Sequence, residues 1–168
     1  MCGIVGYVGN PPVVQTLLDC LGRLEYRGYD SAGIAVVNGR GIEVRKRAGK
    51  IKELAASIQR HPFEGTLGIA HSRWATHGQP TEANAHPHVD CRGAFAVVHN
   101  GIIENYAELK ARLSAQGHRF RSQTDTEVVA HLVEEHAKRA PVAEAFRRAL
   151  KEVRGSYAIG LIAKREPE

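Results

Sequence analysis

The spacing of apolar positions along the 168 residues changes period several times. GIVGYV at 3–8 is an apolar run of strand length, and Asn10 with Pro11 supplies an N-cap and a first helical position. Val14, Leu17, Leu18, Leu21 and Leu24 then recur at helical spacing, which predicts an amphipathic helix to about Leu24 with Cys20 packing beside its apolar face. AGIAVV at 32–37, the turn pair Asn38-Gly39 and the run 42–47 predict a β-hairpin, with register set by turn chemistry. Residues 51–60 read as helix, and TLGIA at 66–70 and AFAVV at 94–98 read as strands. Asn105 with Glu108 begins a helix ending near Gly117, and Thr124 with Glu127 forms a capping box for a helix carrying Val128, Val129, Leu132 and Val133. Pro141 opens one more helix, and YAIGLIA at 157–163 is a closing apolar strand.

This pattern is α+β, with antiparallel strands, intervening helices and no internal repeat. At 43% hydrophobic residues the chain can bury a core as one domain, 1–168. No apolar run approaches the ~20 residues of a membrane span, and the start lacks a signal-peptide pattern, so a soluble cytoplasmic protein is expected. Cys2, Cys20 and Cys91 are widely spaced and odd in number, which fits a reducing compartment without disulfides. The net charge of +5 invites an anionic partner, but the Arg and Lys residues are scattered, from Arg45-Lys46-Arg47 to Lys151, without interleaved aromatics. They read as a solvated basic face, so neither nucleic acid nor membrane is expected as a partner.

The polar clusters fall just past strands: HSRWATHG from His71 follows TLGIA, and HNG from His99 follows AFAVV. Removal of Met1 would leave Cys2 carrying both a thiol and a free α-amine, a nucleophile beside its own base. A free thiol titrates near ~8.5 and an α-amine at roughly 7.7 to 8.0, so both are nearly poised at neutral pH. Attack on a carboxamide also needs donors for the oxyanion. Asn100-Gly101 offers a side-chain amide and an unobstructed backbone N–H in adjacent positions, although Asn-Gly is also an ordinary tight-turn pair. Arg73 can grip a carboxylate bidentately and Asp125 can hold an ammonium, which together would read the two ends of an amino acid. A carboxylate in a helix's first turn is also favoured by the dipole alone.

Cys2-Gly3-Ile4, LEYRGYDSAG from Leu24, HSRWATHG, NAHPH from Asn84, VVHNGIIEN from Val97 and TDTEV from Thr124 together resemble the glutaminase domain of the glutamine–fructose-6-phosphate aminotransferases (isomerising), over nearly the whole chain. Other class II amidotransferases, such as those acting on phosphoribosyl pyrophosphate, usually carry QPF-like and SDSE-like stretches where this chain has HPH and TDTE. The resemblance implies an N-terminal-nucleophile hydrolase fold, a four-layer αββα sandwich. It implies that Cys2 attacks the glutamine amide with its α-amine as proton shuttle, and that Asn100 and Gly101 form the oxyanion hole. Arg73 and Asp125 would then bind the glutamine α-carboxylate and α-amino groups, Thr76 and His77 would complete that pocket, Arg27 would position the nucleophile region, and Trp74 would gate it. A single Trp beside a strand is also a common core filler. The ammonia would pass to fructose 6-phosphate bound by isomerase domains that this chain lacks, in a full-length enzyme expected to be a homodimer. The family's glutaminase domain usually continues past Glu168, so the domain is expected to be truncated at its C-terminus, with open sheet edges.

No cofactor and no metal is expected. His86, His88 and Cys91, with His71, His77 and His99, form the metal alternative, but their spacing suits zinc poorly and leaves Cys2 and Asn100-Gly101 unexplained. Two further alternatives are an inactive fragment that only folds or associates, and an amidotransferase with another acceptor such as phosphoribosyl pyrophosphate.

Overall fold

A computed structural model of the chain describes residues 2–27, 30–74 and 79–165, with Arg27 by its backbone alone. The elements follow in the order β1 Gly3–Val8, α1 Val13–Leu24, a 3-10 turn Glu25–Arg27, β2 Ser31–Asn38, β3 Gly41–Ala48, α2 Ile51–Arg60 and β4 Leu67–Arg73. Then come β5 His88–Val89, β6 Phe95–Gly101, α3 Tyr106–Ala115, α4 Glu127–Ala137, α5 Val142–Glu152 and β7 Tyr157–Ala163. One antiparallel sheet has the order β1-β4-β2-β3 and the other β5-β6-β7.

The two-residue period of the strands sorts side chains into layers. In β2, Ile34 and Val36 pack with Val13, Leu17 and Leu21 of α1 and Leu54 and Ile58 of α2. The alternate residues Ala35 and Val37, with Ile69 of β4, face the second sheet, where they meet Ala96, Val98 and Ile162. On the far side, Phe95 and Val97 of β6 pack with Leu109, Leu113, Val128, Leu132 and Ala145 from α3, α4 and α5. The result is four layers, helices on sheet on sheet on helices, as the family resemblance implies. Strands buried on both faces explain why 32–37 and 95–98 read as unbroken apolar runs.

Helix starts depart from the local capping rules. Helix α1 begins at Val13, two residues after Pro11, and Glu64 from the loop before β4 accepts the Val13 and Val14 N–H groups at 3.1 and 3.3 Å. The Thr124–Glu127 capping box does not form. Thr126 is the N-cap residue of α4, Thr124 bonds His88, and Glu127 accepts the Arg121 and Ser122 N–H groups at 2.8 and 2.7 Å. Asn105 precedes α3 but bonds Glu152 O and Arg154 N, tying α3 to the end of α5. In each case a tertiary partner outcompetes the sequence-local one.

The basic run is not a free solvated face. Arg45, Lys46 and Arg47 are half-buried on β3, where Arg47 pairs with Glu82 at 3.1 Å, Arg45 with Glu43 at 3.7 Å, and Lys46 reaches Ala83 O at 3.3 Å. Burial lowers the Lys46 amine to about 8, against the pull of Glu127 and Glu82. Strand β7 is an edge strand, and its first residues, Tyr157 and Ala158, are exposed. Among the described residues no helix is long and apolar enough to cross a membrane, and all three cysteines are free thiols.

Candidate active site

Strand register brings the motifs together. In β4 the inter-sheet position Ile69 is followed at period two by His71 and Arg73, and in β6 Ala96 and Val98 are followed by Asn100. His71, Arg73 and Asn100 therefore point into the space between the sheets, while His99 takes the parity of Phe95 and Val97 and points toward α4. The polar strings HSR and HNG are thus the last residues of strands rather than loops beyond them.

Cys2 lies at this point because β1 pairs with β4 at Gly3↔Ser72. The Trp74 N–H donates to Cys2 Sγ at 3.1 Å, and the thiol faces the Trp74 carbonyl at 3.6 Å. From the other sheet, Asn100 Nδ2 donates to the Cys2 carbonyl at 3.3 Å. His71 fixes the Asn100 amide: its Nε2 lies 2.9 Å from Asn100 Oδ1 and 3.1 Å from the His99 carbonyl. A carbonyl only accepts, so Nε2 carries the proton and Nδ1 is bare. Burial lowers His71 to about 4, more than its bonds to Asn100 and His99 O raise it. The neutral imidazole therefore locks Asn100 with its NH2 group turned to Cys2. Sequence reasoning named His71 only as a metal alternative. Its signal was the inward parity with Arg73.

Gly101 is not part of a tight turn. It ends β6 at φ +130°, and a Cβ there would lie 2.0 Å from the Ser156 carbonyl oxygen. Only glycine fits both the conformation and the contact.

Arg73 and Asp125 are both buried, 4% and 6% exposed, and held in one frame. Arg73 Nη1 donates to Gln79 O at 3.5 Å, and Asn84 Nδ2 donates to the same oxygen at 3.0 Å. Asn84 Oδ1 in turn accepts the Gln123 N–H at 2.9 Å, two residues before Asp125. Asp125 precedes α4 rather than lying in its first turn, and its Oδ2 accepts the Ile103 N–H at 2.8 Å, just past Gly101. Next to it, Thr126 Oγ1 lies 2.9 Å from His99 Nδ1.

His86 and His88 belong to this buried layer, not to a metal set with Cys91. The His86 ring packs tilted against His71, centroids 4.2 Å apart, and its Nδ1 accepts the His99 N–H at 3.5 Å. Burial lowers His86, His88 and His99 below the usual imidazole range; neighbouring positive charge adds to this for His86 and His88, while Asp125 opposes it for His99. Trp74 is 55% exposed, which excludes the core-filler alternative. Arg27 lies in the 3-10 turn after α1; its side chain, Thr76 and His77 lie outside the described residues.

A chain-start thiol at the junction of two antiparallel sheets, between helical layers, is the architecture of the N-terminal-nucleophile hydrolases. Residues 71–168 match the model of the glutamine amidotransferase domain, and the chain belongs to that family. It is 60% identical over 159 residues to the glutamine–fructose-6-phosphate aminotransferase (isomerising) of Thermus thermophilus, covering 95% of this chain and 26% of the relative. The corresponding protein of Pyrobaculum aerophilum is 56% identical, with 99% and 28% covered. The chain thus spans about a quarter of the length of these curated relatives. A solved glutamine phosphoribosylpyrophosphate amidotransferase from B. subtilis superposes with a TM-score of 0.83 at 28% identity, covering 98% of this chain and 35% of that one.

Proposed function

We propose that this chain is a glutaminase domain that hydrolyses glutamine to glutamate and ammonia through Cys2, as the nitrogen-donating part of a cytoplasmic enzyme that makes glucosamine 6-phosphate from fructose 6-phosphate. With Met1 removed, the Cys2 α-amine takes the thiol proton and the thiolate attacks the amide carbon. Asn100 Nδ2 and the Gly101 N–H receive the oxyanion. Collapse breaks the C–N bond as the α-ammonium returns its proton to the leaving ammonia, and water then hydrolyses the γ-glutamyl thioester. Arg73 holds the substrate α-carboxylate and Asp125 its α-amino group, with Thr76 and His77 completing the pocket, Arg27 positioning the nucleophile region and Trp74 at its mouth. Fructose 6-phosphate belongs to isomerase domains outside this chain, in an assembly expected to be a homodimer.

The observation that carries this reading is the bond from Asn100 Nδ2 to the Cys2 backbone carbonyl at 3.3 Å, which brings an amide donor beside the thiol-bearing residue from 98 positions away. A nucleophile and an amide donor held by a neutral histidine are what acyl transfer requires. For the acceptor, 60% identity to an aminotransferase of fructose 6-phosphate outweighs 28% identity to the phosphoribosylpyrophosphate enzyme. The test is intact mass before and after 6-diazo-5-oxo-norleucine. Loss of Met1 with one adduct at Cys2, blocked by excess glutamine, is expected. A processed, folded chain that takes no adduct would favour the inactive-fragment alternative.

A further inference from the structure

On the helix side of the second sheet, Cys91, His118, His131 and Glu134 each offer one donor atom, all four atoms lying within 4.8 Å of one another. They come from three segments: the turn between β5 and β6, the loop after α3, and the second and third turns of α4. Cys91 Sγ lies 3.8 Å from His118 Nδ1 and 3.6 Å from His131 Nδ1. Glu134 Oε2 lies 3.0 Å from His118 Nδ1 and 3.5 Å from His131 Nδ1. For ligands on a tetrahedral Zn2+, the standard bond lengths place S and N roughly 3.6 Å apart and N and O roughly 3.3 Å apart. These four separations fall within a few tenths of an ångström of those edges.

The surroundings have the form of an outer ligand shell. The far nitrogen of each imidazole faces a carboxylate, His118 Nε2 at 3.0 Å from Glu135 Oε2 and His131 Nε2 at 3.6 Å from Glu127 Oε1. Carboxylates in that position orient a ligating histidine and raise its basicity. Glu135 is itself paired with Lys138. The Arg119 N–H donates to Cys91 Sγ at 3.3 Å, and the Cys91 N–H donates to Glu134 Oε2 at 3.2 Å. The remaining polar contact is Arg92 Nε, 3.7 Å from Glu134 Oε1. His131 is fully buried, His118 and Glu134 are 8% exposed, and the Phe120 ring lies 4.5 Å from His131. One thiolate and one carboxylate balance the charge of a divalent cation, which suits a low-dielectric site.

We propose that Cys91, His118, His131 and Glu134 form a structural zinc site, independent of the glutaminase reading. Four protein ligands close the coordination sphere, so the ion acts on structure and not as a Lewis acid on substrate. Binding forms the Zn–S bond as the Cys91 thiol proton leaves to solvent. The ion fastens the β5–β6 turn and the α3–α4 loop to α4, the helix that begins two residues after Asp125.

The test is metal content and Co2+ spectroscopy on the purified chain. About one Zn2+ per chain after desalting is expected, with the thermal midpoint falling by several degrees on chelation. Co2+ added to the stripped chain gives a near-ultraviolet thiolate charge-transfer band and the intense visible bands of four-coordinate cobalt. Cys91→Ser abolishes the charge-transfer band, Cys2→Ala and Cys20→Ser retain it, and Glu135→Gln weakens zinc binding about 10- to 100-fold. A folded wild-type chain that holds under about 0.1 equivalent of zinc and shows no band in excess Co2+ overturns the proposal. So does a band lost in Cys2→Ala and kept in Cys91→Ser.

Discussion

Two buried polar clusters occupy opposite faces of the second sheet, and the chain assembles them differently. Between the sheets, the β1–β4 ladder sets the spacing of Cys2, His71 and Arg73, and Asn100 at the end of β6 meets them from the other sheet through its bonds to His71 and the Cys2 carbonyl. On the helix side, Cys91, His118, His131 and Glu134 come from a turn, a loop and a helix, and no strand ladder joins these segments: contacts of the four side chains with one another and with the Cys91 and Arg119 N–H groups bring them together. The first arrangement holds donors rigidly and leaves Cys2 half-buried beside an exposed Trp74, as a site that admits a substrate requires. The second is closed, its histidines and carboxylate all but buried, which suits a fastening role. The difference separates positioning by sheet register from positioning by ligation.

The sharpest way to break the comparison is at the inter-sheet cluster. Asn100→Ala removes the side-chain donor while leaving Cys2 and the strands in place, and kcat for glutamine hydrolysis is expected to fall about 100- to 1000-fold with KM little changed. His71 should follow Asn100 and not Cys2: its loss frees the amide to turn. An Asn100→Ala enzyme with wild-type kcat would remove the amide from the mechanism and leave the inter-sheet cluster as packing alone.

The next effect is on stability and comes from the buried imidazoles on the two faces of the second sheet. His71, His86, His88 and His99 all have folded pKa values below the ordinary imidazole range, with His71 at about 4. The unfolded chain therefore takes up protons first as pH falls, so stability is fully present above about 6.5 and lost as pH drops toward the folded values. His71 alone corresponds to roughly 3 kcal/mol across that window. Urea unfolding at a series of pH values between 7 and 4 should give a steep positive slope of stability against pH. A flat profile would mean that these rings are solvated and that Asn100 is not locked by a neutral His71.

How much of this was legible in the sequence follows the same division. Strand and helix identity came through wherever one period held for six residues or more, as in 3–8, 51–60 and 157–163, whose observed bounds coincide with the expected ones. The start of α3 at Asn105 was read correctly, whereas the N-caps of α1 and α4 each fall two residues later than expected. Glu64 caps α1 from a distant loop, and Thr124 and Glu127 bond His88 and the Arg121 and Ser122 N–H groups, contacts that no local pattern displays. Strands β4 and β6 ran three residues further than the apolar runs indicated, because their polar ends are sheltered by the opposite sheet. The Cys2, Arg73, Asn100 and Asp125 set was legible because each sits in a contiguous string. The Cys91 cluster was not: its members are 27, 13 and 3 positions apart, counted 91 to 118 to 131 to 134, and the nearer histidines His86 and His88, which sequence spacing offered instead, are engaged elsewhere, His86 against the His71 ring and His88 on Thr124 Oγ1.

The smallest expected effect concerns Trp74, where the rigid register ends. Its backbone N–H meets Cys2 Sγ at 3.1 Å, but its side chain is 55% exposed, so the indole contributes little to the core. Truncating a buried Trp costs about 3 to 5 kcal/mol, whereas a surface change usually stays within about 0.5 kcal/mol. Trp74→Ala should therefore unfold in urea close to the wild-type midpoint, and its backbone bond to the thiol persists. If the indole covers bound glutamine, KM should rise several-fold, with a smaller change in the rate of 6-diazo-5-oxo-norleucine labelling at saturation. A large loss of stability would place the ring in the core after all, and an unchanged KM would confine the glutamine pocket to the strand-borne groups and the segment after Trp74.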